Sequence, residues 1–197
     1  MRLRVSLVST CALAATAAVL APGVGAAVHE CAPGNPTAAS YTWDFKAEAN
    51  SSFQDLEALA RQTRDDADQL VTYNRGHEVD WEIQADQLHI LKHEVNDMGA
   101  RLCRLESIRR VLAPWQQAEV DRIAEEVQLM ADNAQDAIVY LNDHEQELWV
   151  PAYQKYANGL YTEAGALTES LSDAVTYGGV SKEYRDLRHK LGVPANS

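Results

Sequence analysis

Two histidines four residues apart, His89 and His93, are the first residues in this sequence that could do chemistry. On a helix, side chains four residues apart project from one face, so the two imidazoles could chelate a metal ion. A third, His144, lies in the acidic run 142–147, where an imidazole could bind a metal or act as a base. Each also fits a solvated surface position. We therefore predict no catalytic residue and keep these three histidines as metal candidates.

Other catalytic and cofactor signatures are absent from the sequence. It has no Cys-x-x-Cys-His run for covalent haem, no Gly-rich phosphate loop and no nucleophile elbow. A b-type haem would need axial ligands inside the fold, and Met98 and Met130 are expected there as packing residues. We predict a protein that is not an enzyme and carries no cofactor, with a metal- or haem-binding bundle as the alternative.

Aromatic residues cluster at the start of the last long helical segment: Trp149, Tyr153, Tyr156 and Tyr161. Helical spacing places Tyr153 and Tyr156 on one face, whereas Trp149 and Tyr161 need not share it. Two interpretations stay open. The aromatic side chains either close the end of a core or form a patch that binds a peptide or a partner helix.

The first 26 residues predict export. A basic start at Arg2 and Arg4 precedes an apolar run over 5–20, and small residues lead to Ala26. These are the three parts of a secretory signal. The apolar run is shorter than the roughly 20 residues of a spanning helix. We expect cleavage after Ala26 rather than an N-terminal membrane anchor, and a secreted or periplasmic mature protein.

The chain is strongly acidic, with 17 basic and 29 acidic side chains and a net charge of −12. Cleavage would remove two basic residues and no acidic one, which leaves 15 against 29, a net charge of −14. This charge repels polyanions, so we expect no nucleic acid as a partner. No later stretch is apolar enough to predict membrane insertion after signal cleavage.

Two cysteines would remain after cleavage, Cys31 and Cys103. An even pair in an oxidising compartment predicts a disulfide, with two free thiols as the alternative. Cys31 lies in a Pro-, Gly- and Ala-rich stretch that is expected to be an extended leader. The disulfide would attach this leader to the helices and stabilise the fold by about 4 kcal/mol on chain-entropy grounds.

Four segments show the three-and-four apolar spacing of amphipathic helices. The first is expected over 51–73, with a stop at Gly76. The second, over 81–112, has a seven-residue repeat interrupted only by Gln84 and Arg109, which predicts coiled-coil-like packing. The apolar positions are Phe53, Leu56, Ala60, Thr63, Ala67 and Leu70 in the first segment, and Trp81, Leu88, Leu91, Val95, Met98, Leu102, Leu105 and Leu112 in the second.

Prolines open the third and fourth helices, at Pro114 and Pro151. The third helix could end in a turn at 142–144 or continue to Trp149. The apolar positions are Val120, Ile123, Val127, Met130, Ala134, Ala137 and Leu141 in the third, and Tyr153, Ala157, Leu160, Ala164, Leu167, Leu171 and Ala174 in the fourth.

Short connections between long helices make neighbouring helices antiparallel. We therefore predict an all-α fold, an antiparallel up-down-up-down four-helix bundle with coiled-coil-like heptads. Gly178 and Gly179 are expected to end the fourth helix, and 181–191 to form a short fifth. The domains would be a signal peptide at 1–26, an extended leader at 27–50, one bundle at 51–191 and a tail at 192–197.

The segment Leu112-Ala113-Pro114-Trp115-Gln116 resembles the Leu-Thr-x-x-Gln element of small helical periplasmic chaperones of the Spy/CpxP type, with Ala in place of Thr. This resemblance implies a chaperone-like role. From export, heptads and the lack of a catalytic motif, we predict a non-enzymatic envelope protein that binds a protein partner or assembles with itself. The alternatives are a metal- or haem-binding periplasmic bundle and a chaperone-like protein.

Overall fold

A computed structural model describes residues 43–75 and 79–193, and these residues form a helical bundle. Within these two ranges every element is helical, and α1 and α3 each pack against both α2 and α4 around one core. None of the described helices combines the length and the apolar character that crossing a membrane requires. The elements are α1 (Phe45–Tyr73), α2 (Trp81–Ile108), a 3₁₀ turn (Arg109–Val111), α3 (Pro114–Asp143) and α4 (Pro151–Leu191).

The start of α1 lies earlier in the chain than the sequence predicts. The Asp44 carboxylate accepts hydrogen bonds from the backbone N–H groups of Lys46 and Ala47. Such a cap satisfies donors that have no partner within the helix. The helix therefore begins at Phe45, and the leader predicted to extend to residue 50 is helical from that point. The signal peptide at 1–26 and the leader before residue 43 lie outside the described residues.

The other helix ends follow local signals. Asp80 caps α2, and prolines occupy the first positions of α3 and α4 as predicted. The third helix ends at Asp143, and turns over 145–150 lead into α4. The helix therefore does not continue to Trp149 and ends at Asp143, within the segment 142–144 where a turn is predicted.

The predicted apolar positions of α1, α3 and α4 are all buried. In α2 the same holds except at Trp81, which begins the helix at one end of the bundle and is exposed. Gln84, expected to interrupt the core, is fully buried. Near the other end, Ile108 is buried in place of Arg109, because the chain changes there from α-helix to a 3₁₀ turn.

The separate fifth helix predicted over 181–191 is wrong, because α4 continues through Gly178 and Gly179 to Leu191 as one helix of 41 residues. Glycine inside a helix costs about 1 kcal/mol relative to alanine, which neighbouring packing can offset. Gly178 serves a close approach, since a Cβ there would lie 3.1 Å from Asn50 Oδ1 in α1. The helix ends instead at Gly192, which adopts a left-handed conformation with φ of 65°.

Candidate interaction surface

An exposed apolar row runs along the last turns of α4. Its five residues recur at spacings of three and four, so they lie on one side of the helix. Each is between 47 and 75 % exposed, which is unusual for large apolar side chains in a continuous row. We call them the α4 stripe: Tyr177, Val180, Tyr184, Leu187 and Leu191.

The α4 stripe is exposed because α4 extends past the start of α3. The Tyr177 ring packs edge-on against the ring of Trp115, with centroids 5.0 Å apart, and Trp115 is the second residue of α3. After Tyr177, α4 extends beyond the first turn of α3, and no other described helix covers the row. The last three turns of α4 therefore present an apolar face at one end of the bundle.

The end of α4 that carries the α4 stripe is basic, although the chain as a whole carries a net charge of −12. Charges beside an apolar helical row determine which helix it accepts and in which direction. Residues 180–191 include four basic and two acidic side chains. The basic ones are Lys182, Arg185, Arg188 and Lys190, and the acidic ones are Glu183 and Asp186.

A groove of about 550 Å³ lies between the start of α1 and the end of α4. Asp44 and Asn50 line its α1 side, and Lys182, Arg185 and His189 line its α4 side. Sites for small ligands are usually concave and mostly apolar. This open groove instead carries charges of both signs and lies on the side of α4 that faces α1.

The predicted metal candidates His89 and His93 lie on the outer surface of α2, where the apolar register placed them. Their rings meet edge to face with centroids 4.6 Å apart. The described residues contain no group of three or more His, Cys, Asp or Glu arranged to hold a metal ion. The pair offers two ligands and remains a candidate on that basis alone.

His144, the third candidate, forms the end of α3. Its ring stacks on that of Tyr140, with centroids 4.2 Å apart and planes inclined by 16°. Its Nδ1 donates a hydrogen bond to the Tyr140 carbonyl oxygen over 3.1 Å. The exposed imidazole is thus held as a helix cap, and the structure does not bring it together with the other two histidines.

The aromatic cluster at the α3–α4 junction divides between core and surface. Tyr153 is buried, and its hydroxyl donates to Gln84 Oε1 over 2.9 Å. Burial raises the pKa of Tyr153 above the usual range of a phenol. Trp149 and Tyr161 are exposed. Tyr153 therefore fits the core-closing interpretation, while the two exposed rings do not form a continuous row like the α4 stripe.

Glu94 is a buried carboxyl group that the sequence analysis did not single out. It is only 5 % exposed, and Gln62 of α1 donates to its Oε1 over 2.6 Å. Its Oε2 has no hydrogen-bond partner among the described residues. Burial, together with the nearby Asp66 carboxyl group, raises the pKa of Glu94 to about 7. The only signal in the sequence is its position beside the core residue Val95.

A second buried polar contact joins α3 and α4. The Ser170 hydroxyl donates to Glu119 Oε1 over 2.5 Å, and both side chains are buried. Arg122 lies 3.4 Å from the other carboxylate oxygen of Glu119. Ser170 therefore donates its hydroxyl proton to the Glu119 carboxylate, which Arg122 also contacts. This contact joins α3 to α4.

The segment that resembles a chaperone element, residues 112–116, connects α3 to α1 through hydrogen bonds. Gln116 Oε1 accepts a hydrogen bond from the Ala113 backbone N–H over 3.0 Å, which caps the start of α3. Gln116 Nε2 donates to the Lys46 carbonyl oxygen and to Asn50 Oδ1. A glutamine here thus serves the packing of the bundle.

Of the two cysteines predicted to pair, Cys103 lies partly exposed near the end of α2. Cys31 lies outside the described residues. The disulfide therefore stays a prediction.

Comparison with known proteins found no matching family model, no matching curated protein and no matching solved structure.

Proposed function

We propose that this protein is an exported, non-enzymatic helical bundle that binds protein, and that the α4 stripe is its binding surface. The observation that carries the proposal is a row of five large apolar side chains, each about half exposed or more, on one side of one helix. Apolar helical rows of this spacing are recognised by other helices or by apolar grooves.

We also infer that the four helices alternate in direction, which makes the body of the bundle a rigid support for α4. Contacts between side chains support this. As the residue number increases along one helix, the residue number of its contact partner decreases along the neighbouring helix. In α1 and α2 the pairs are Glu48 with Arg104, Asp55 with Arg101, and Gln62 with Glu94, and in α3 and α4 they are Glu119 with Ser170 and Asn133 with Glu163.

The sequence supports the compartment and the partner class. A signal at 1–26 would send the chain to the periplasm or outside the cell. A disulfide between Cys31 and Cys103 would secure the leader there. The acidic body disfavours nucleic acid, and the basic, apolar end of α4 provides a local surface with different chemistry.

Photo-crosslinking in the exporting cell tests the proposal. A photoreactive phenylalanine analogue at position 184, within the α4 stripe, is expected to form a covalent adduct with protein. The same analogue at position 129 is the control, because Leu129 is an exposed apolar residue of α3 outside the stripe. Absence of adducts at position 184, or equal adducts at both positions, contradicts the proposal. A spread of many different adducts would indicate the chaperone-like variant of this function.

Native mass spectrometry separates the proposal from a metal- or haem-binding role. The chain purified after export is expected to have the mass of the bare polypeptide, with Cys31 and Cys103 oxidised. A bound metal or haem would contradict the proposal and direct the work to His89, His93 and His144.

A further inference from the structure

We infer that the partner of the α4 stripe is a second copy of this chain, whose own α4 stripe packs against it in the opposite direction. This inference rests on the proposed function, because it names the partner of the same surface. It is carried by the spacing of the stripe, by the charges beside it and by the position of the bundle body.

The spacing of the α4 stripe is that of a coiled-coil seam. Tyr177, Tyr184 and Leu191 are seven residues apart, and Val180 and Leu187 fall between them. A helix with this seven-residue repeat buries its row best against another helix with the same repeat. A second copy supplies such a helix, and a two-fold interface uses the same patch twice.

The charges beside the row are complementary in an antiparallel register. Aligning Tyr184 with Leu187 of the second copy also aligns Val180 with the second copy's Leu191. The residue before each Tyr184 is Glu183, and in this register it meets Lys190 of the second copy, with the same pair repeated by symmetry. Opposite charges at such flanking positions stabilise two paired helices, and the position of the bundle body then decides their direction.

The bundle body excludes the parallel arrangement. Trp115 of α3 already packs on Tyr177 at the near end of the stripe. A parallel partner would bring its own bundle to this same end, where α3 lies. An antiparallel partner instead keeps the two bodies at opposite ends, with the last turn of each α4 reaching the other's body.

The first test is sedimentation of the exported full chain across a concentration series, with Leu187→Glu and Leu129→Glu compared. The wild type and Leu129→Glu are expected to dimerise, and Leu187→Glu to raise the dimer Kd by about 100-fold. Leu129 is a matched control because its exposure, 43 %, is close to the 47 % of Leu187. A wild type that stays monomeric at about 100 µM overturns the inference. A dimer that survives Leu187→Glu does the same.

The second test is a charge exchange. Glu183→Lys and Lys190→Glu are each expected to weaken the dimer, and the double variant to restore it. Restoration by Glu183→Lys with Arg188→Glu instead would indicate parallel helices and overturn the register. If dimers form only after deletion of residues 27–42, the leader is the occupant and the inference is wrong. Crosslinks from position 184 to a different protein, without self-crosslinks, would overturn the dimer while leaving the proposed function standing.

Discussion

Replacing Glu94 by glutamine tests whether a buried carboxyl group makes this bundle sensitive to pH. The amide side chain keeps an oxygen that can accept the hydrogen bond from Gln62, and it cannot carry a charge. It therefore imitates the protonated form of Glu94. Comparing Glu94→Gln with wild type therefore measures the free-energy cost of the charge, because the size and shape of the side chain stay nearly the same.

The sign follows from the direction of the pKa shift. Burial, the largest cause, and the neighbouring Asp66 carboxyl group together raise the pKa of Glu94 from 4.5 to about 7 in the folded protein. The folded state therefore holds the proton more tightly than the unfolded state does. The stability that this group contributes is complete below about pH 4.5 and is lost as the pH rises through about 7.

The magnitude follows from the same values. A rise from 4.5 to about 7 corresponds to about 3.5 kcal/mol as an upper limit, at about 1.4 kcal/mol per unit. Local solvation and relaxation of the helix pair reduce the expected effect to about 2 kcal/mol. Glu94→Gln should then be more stable than wild type by about 2 kcal/mol at about pH 8, with little difference near pH 4.5.

Urea unfolding followed by circular dichroism at several pH values measures this difference. Glu125→Gln is the control, because Glu125 is exposed on α3 and its replacement removes one negative charge from the same acidic protein. The reasoning is refuted if Glu94→Gln and wild type keep a constant stability difference from about pH 4.5 to about pH 8. It is also refuted if Glu125→Gln produces the same pH-dependent gain.

Three further predictions concern named contacts. Tyr153→Phe should lower the free energy of unfolding by about 1–3 kcal/mol, because Gln84 Oε1 loses its donor in the core; unchanged urea midpoints would contradict this. Gly179→Ala should stabilise the bundle by about 0.5–1 kcal/mol, since a Cβ there meets nothing within 4 Å. Gly178→Ala should fall short of that gain or destabilise, because its Cβ would press on α1, and equal thermal shifts for the two variants would refute the close approach. Replacing both His89 and His93 by Ala should leave the metal content of the purified protein, measured by elemental analysis, unchanged, and a loss of metal would establish the pair as a site.

Local patterns were sufficient for most of the helices. The apolar faces of α1, α3 and α4 came from spacing alone, because a helix repeats every 3.6 residues whatever surrounds it. Pro114 and Pro151 marked two helix starts for an equally local reason. The outward position of His89 and His93 followed from the register of α2.

The sequence does not reveal the candidate surface, because Gly178 and Gly179 predict the end of the helix at that point. The spacing from Tyr177 to Leu191 is visible in the sequence and continues across Gly178 and Gly179. Glycine lowers helix stability by an amount that packing can offset, and only the approach of Asn50 shows where the offset arises. Whether the row is exposed depends on where α3 begins beside α4, which is a relation between distant segments.

The helical class, most helix positions and the faces that turn inward can be predicted from the sequence, since these depend on residues a few positions apart. Which polar groups are buried and which apolar groups stay exposed depends instead on how the helices pack. Glu94 is buried against α1, where Gln62 contacts it, and Gln84 is buried against α4, where Tyr153 contacts it. The α4 stripe is exposed because α4 extends beyond the start of its neighbour α3. Burial is a property of packed partners, so it could not be obtained from the spacing within any one helix.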